Sequence, residues 1–123
     1  MGIVRIDLVS LQVRDWRAAV RWYTEVLGLT VGPYEEEDQF CMLKTREGDV
    51  MLALASDHPE YSASQEENRC APSFFVEHLD ATLDELRKKG VRIDPKLDGD
   101  GDGYRLARIW DPEGNRISLF EYR

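Results

Sequence analysis

The chain repeats itself. Val13 falls on Val76, Gly28 on Gly90, and Arg46-Glu47-Gly48-Asp49 on Pro112-Glu113-Gly114-Asn115. The offsets are about 62 to 66 residues, half of a 123-residue chain, which reads as two copies of one unit. Each half is too small to bury a sheet face comfortably by itself. The two copies are therefore expected to share a core or a cleft within one domain over 1–123. Module one covers about 3–55, a polar connector about 56–70, and module two about 71–123.

Both copies give the same order of elements. Residues 3–13 alternate Val9, Leu11 and Val13 with Leu8, Ser10 and Gln12, the mark of a strand with two different faces. Asp15 can cap a helix in which Trp16, Ala19, Val20, Tyr23 and Leu27 recur at helical spacing, and Gly28 stops it. A short strand at 29–31, an acidic turn over 33–38, and strands at 39–44 and 50–55 follow. The order then restarts: a strand at 73–77, a helix at 79–89 with Leu79, Leu83 and Leu86 on one face, and Gly90 as its stop. Strands at 91–93, 105–110 and 116–122 complete the second copy.

Charge narrows the partners. Twenty-four Asp and Glu against 16 Lys and Arg leave a formal net of −8, which repels phosphate backbones and anionic membrane surfaces. Neither a nucleic-acid nor a membrane partner is expected. No apolar run approaches the ~18 residues of a membrane span, and Met1–Ile6 lacks a signal-peptide core. A cytoplasmic protein is expected, with Cys41 and Cys70 as free thiols.

The stretches VRDWRAAVRWYTEVLGL (13–29) and ARIWDPEGNRISLFEY (107–122), together with the repeat, resemble the vicinal oxygen chelate superfamily. That group includes glyoxalase I, extradiol dioxygenases, and fosfomycin- and bleomycin-resistance proteins. The resemblance covers essentially the whole chain. It implies an α+β fold in which two βαβββ modules form a curled mixed sheet around a cavity, and it implies a homodimer. In metal-using members four positions carry His, Gln or Glu. Counted onto this chain they are Leu8, Leu52, Ala71 and Ser118, which offer a divalent ion nothing beyond one neutral hydroxyl. No metal or other cofactor is expected.

If those positions face the cavity, strand alternation turns the same way Ser10, Gln12, Phe40, Met42 and Leu54 in module one. In module two it turns Ser73, Phe75, Arg108, Trp110 and Phe120 the same way. Phe40, Phe75, Trp110 and Phe120 can stack a flat ligand. Ser10, Gln12, Ser73, Ser118 and Arg108 can orient it. Val9, Leu11, Val13, Cys41, Leu43, Phe74, Val76, Ile117 and Leu119 then face the helices as a core. Such a cavity suits a small organic molecule.

The remaining constellations carry less. Glu77 shares the parity of Phe75 and is the one carboxylate that could serve there as a base. His78 stands where Asp15 stands in the first copy, which suggests a helix-start role; His58 lies in the connector. Asp98-x-Asp100-x-Asp102-Gly103 opens like a calcium loop, but its twelfth position is Ile109 rather than Glu. Glu35–Asp38 reads as a solvated turn. The expected function is sequestration of a hydrophobic or aromatic small molecule without metal, with the net acidity favouring a cationic one. The alternative is a metal-dependent lyase, isomerase or dioxygenase with displaced ligands, for which Asp7 and Glu121 are the nearby carboxylates.

Overall fold

Asp15 starts the first helix as its spacing predicts: one carboxylate oxygen accepts the N–H of Ala18 at 3.1 Å. The computed structural model describes residues 2, 4–56, 71–98 and 103–122. The connector beyond Ser56, with His58 and Cys70, lies outside them, as do Asp100 and Asp102. The chain divides into two compact units, Met1–Ser62 and Ala63–Arg123.

The first unit runs β1 (Leu8–Val13), α1 (Trp16–Glu25), β2 (Thr30–Glu35), β3 (Phe40–Lys44) and β4 (Met51–Ser56). Its sheet has the order β1-β4-β3-β2. β1 and β4 pair in parallel, and the other pairs are antiparallel. Leu11, Val13, Cys41, Leu43, Leu52 and Leu54 are buried on the α1 side with Trp16, Ala19 and Tyr23. Trp16 also places its indole N–H on the carbonyl of Leu54 at 2.9 Å, so this large side chain is buried with its polar atom satisfied.

The second unit repeats this path with β5 (Ser73–Phe75), α2 (Leu79–Lys88), β6 (Arg92–Ile93), β7 (Tyr104–Trp110) and β8 (Arg116–Tyr122). The sheet order is β5-β8-β7-β6, again with one parallel pair, β5 with β8. Leu79, Leu83 and Leu86 of α2 are buried on the side of Ala107, Ile109, Ile117 and Leu119. Both units are thus βαβββ. Their helices also stop alike, at Gly28 and Gly90 with φ of 76° and 79°, a conformation that costs glycine little.

Three local expectations are corrected. β2 extends to Glu35 instead of ending at residue 31. A bulge between Val31 and Tyr34 carries Gly32 and Pro33, and a Cβ on Gly32 would meet the Lys44 side chain at 3.0 Å. The bulge lets the strand absorb a Gly-Pro pair that reads as a breaker. β1 begins at Leu8, and Val4 and Ile6 before it are exposed. His78 occupies the position before α2, but its side chain caps nothing. Glu121 does so from β8, accepting the N–H of Leu79 at 3.0 Å.

Candidate functional site

Helices cover one face of each sheet, and paired residues share a face. On the open face of the first sheet Ser10 pairs with Ala53 and Ala53 with Met42. Leu8 pairs with Met51, Gln12 with Ala55, and Ala55 with Phe40. Leu8, Ser10, Gln12, Phe40 and Met42 therefore lie together. Leu52 and Leu54 do not. Their partners are Val9 and Leu43, and Leu11 and Cys41, which puts both leucines in the helix-side core. The physical reason is one extra residue in the turn. Ala53, the counterpart of Ser118 by register, lies five residues after Gly48, whereas Ser118 lies four after Gly114. Counting from the turn glycine shifts β4 by one place and reverses its faces.

The second sheet follows the expected alternation. Its open face is laid out in rows by the register. Tyr104 pairs with Tyr122. Phe120 lies between Phe75 and Leu106, Ser118 between Ser73 and Arg108, and Trp110 between Arg116 and Arg92. Phe75, Phe120 and Tyr122 form a triangle of rings with centroids 5.5 to 5.9 Å apart. Phe75 is 52% exposed and Tyr122 is 72% exposed, so two of the three rings meet solvent. Arg108 is ion-paired to Asp98 at 2.5 Å, and the guanidinium of Arg92 lies 4.3 Å from the Trp110 ring centre. Tyr104, Leu106 and Tyr122 were missed from sequence, although Tyr122 shares the parity of Ser118 and Phe120.

Other candidates fall elsewhere. Glu77 is exposed beyond the end of β5. Glu121 is committed to the helix side, where it caps α2 and pairs with Arg105 at 3.4 Å. Asp7 is exposed and paired to Arg5 at 2.6 Å. Neither carboxylate is turned to the open face. Asp98 of the acidic loop spends its carboxylate on Arg108. Glu36 bonds the Tyr34 hydroxyl and Arg17; the Tyr34 hydrogen bond, then Arg17, holds its carboxyl below the usual range. Burial pushes the Cys41 thiol up, away from the reactive thiolate.

The donors do not fit a resident divalent ion. Of the positions that the resemblance marks for ligands, Leu8 and, by register, Ala53 in the first unit offer no donor, and Ala71 and Ser118 in the second offer one neutral hydroxyl. Among the described residues no three His, Cys, Asp or Glu come together. No described helix is long and apolar enough to cross a membrane.

Fold and faces define a class: an α+β protein of two βαβββ modules, each with one helix-covered and one open sheet face. The Glyoxalase/Bleomycin resistance protein/Dioxygenase superfamily profile matches residues 5–119, and the chain belongs to that superfamily. The uncharacterized protein YraH of Bacillus subtilis (strain 168) is 25% identical over 92% of this chain and 94% of its own. Among solved structures, TnmS3, an antibiotic binding protein from Streptomyces sp. CB03234, matches with a TM-score of 0.83 at 22% identity, over 100% of this chain and 99% of its own. A member of the same superfamily from Sphaerobacter thermophilus DSM 20745 matches with a TM-score of 0.78 at 20% identity, over 98% and 99% of the two chains.

Proposed function

We propose that the chain binds a small organic molecule and holds it without chemical change, by stacking it on the open face of the second sheet. The exposed ring triangle of Phe75, Phe120 and Tyr122 carries this reading. Large apolar rings beside a few fixed polar groups are what a small-ligand site needs. Ser73, Ser118 and Arg108 supply those groups one row away. The antibiotic-binding TnmS3, which shares the fold, supports the same class of function. Leu8, Ser10, Gln12, Phe40 and Met42 form a less aromatic surface on the first sheet that is open to a ligand in the same way. Binding needs no metal in this reading, the whole chain acts as one domain, and two copies associate.

Thermal shift with planar aromatic compounds tests the proposal, run with a metal chelator present. Binding at 100 times Kd adds about 2.7 kcal/mol to stability, so a ligand should raise Tm by several degrees. Phe75→Ala and Tyr122→Ala change exposed side chains and should fold normally while losing most of that rise. A full rise in both variants, or a rise abolished by the chelator, contradicts the reading.

A further inference from the structure

We infer that the ligand of this face carries a negative charge some distance from its aromatic part; the inference rests on the binding reading above. The rows of the second sheet are graded. Tyr104 with Tyr122, then Leu106 with Phe120 and Phe75, are apolar; Arg108 with Ser118 and Ser73 are polar; Trp110 with Arg116 and Arg92 end the series. Successive rows lie two residues apart, about 7 Å. A molecule with its rings on Phe120 therefore reaches the hydroxyls of the next row at about 7 Å and the last row at about 14 Å.

Ion pairing decides the sign of the charge. Carboxylates outnumber cations 24 to 16 in this chain, and many exposed cations have one: Arg5 has Asp7, Arg17 has Glu36, Arg87 has Asp84 and Lys89 has Glu85. On the open face Arg108 has Asp98. Arg92 and Arg116 have no carboxylate partner among the described residues; Arg92 lies over the Trp110 ring. Asp94, just past β6, turns its carboxylate to the N–H of Lys96 at 3.0 Å. Glu77 lies past the Phe75 row, at the opposite end from Arg116. The last row thus holds two guanidiniums that no carboxylate of the described residues occupies, and guanidiniums take an acid group with paired, charge-assisted N–H bonds. A net charge of −8 opposes an incoming anion only at long range, because screening falls to about 8 Å at physiological salt. The net charge alone favours a cationic ligand; the local arrangement reverses that choice.

The test uses the full chain and three pyrene probes of one shape: pyrenebutyrate, pyrenebutanol and pyrenebutylammonium. Fluorescence titration should rank the butyrate about tenfold tighter than the alcohol, and the ammonium weakest. Replacing both arginines, Arg92→Gln with Arg116→Gln, should bring the butyrate to the level of the alcohol and leave the alcohol unchanged. Equal affinity of the three probes, an ammonium that binds tightest, or a butyrate advantage that survives the double variant overturns the charge inference and leaves the aromatic reading standing. Failure of all three to bind takes both away.

Discussion

Asp111 is 5% exposed and holds the β7–β8 turn together. Its carboxylate accepts the N–H groups of Glu113 and Asn115 at 2.9 and 2.8 Å, and the Asn115 side-chain amide at 2.8 Å. Removing it leaves buried donors unpaired. Asp111→Ala should therefore lower unfolding stability by about 2–4 kcal/mol, read from urea melts; a loss within the measurement error would show that the turn forms without it. Cys41 makes a different prediction. It is fully buried, and burial raises its pKa above the ordinary 9.0. The folded state keeps this proton longer than the unfolded chain does. The contribution is present below the unfolded pKa and is lost as pH rises through and beyond it. Urea midpoints should fall as pH rises through and above the ordinary thiol value of 9.0, and Cys41→Ala should make that fall shallower. Parallel curves for the two proteins would contradict the assignment.

At the scale of the elements, the two helices were legible because their signals are local. The Asp15 cap of α1, the glycine stops and the leucine spacing of α2 each lie within one stretch of chain. β4 was legible as a strand but not in its facing. MLALAS is apolar on both sides, so alternation cannot separate core from open face, and only the pairing with Val9, Leu11, Cys41 and Leu43 does. Leu54→Ala should behave as a core truncation and cost about 2–5 kcal/mol. Met51→Ala, on the half-buried open side, should cost less than half as much. Similar losses would mean that the strand faces the other way. The cap of α2 was hidden for another reason: Glu121 is 42 residues from the N–H it accepts. Arg105 is 11% exposed and joins this carboxylate to Asp80 at 3.1 Å, so β7, β8 and the start of α2 are tied at one point. Glu121→Gln keeps an acceptor there and should be milder than Glu121→Ala. Circular dichroism melts order the two, and an equal loss would assign the effect to charge instead of the cap.

At the scale of the molecule, the half-chain repeat and two sequence stretches were enough to place the chain in its superfamily. They could not place its ligand. That depends on which side chains the open faces carry, and the register adds to the second face Tyr104, Leu106 and Tyr122, which the alternation of Arg108 and Phe120 already pointed to. The homodimer proposed for this chain should show about twice the 14.2 kDa chain mass by light scattering, whereas the single-chain mass would refute it. The account stands most directly on where a ligand sits. Backbone amide shifts of the isotope-labelled chain, followed as pyrenebutyrate is added, locate it. Changes should concentrate at Ser73 and Phe75, along Leu106–Arg108, and at Ser118–Tyr122. Changes confined to the helices or to β2, or a spectrum that does not move at saturating probe, would contradict the account.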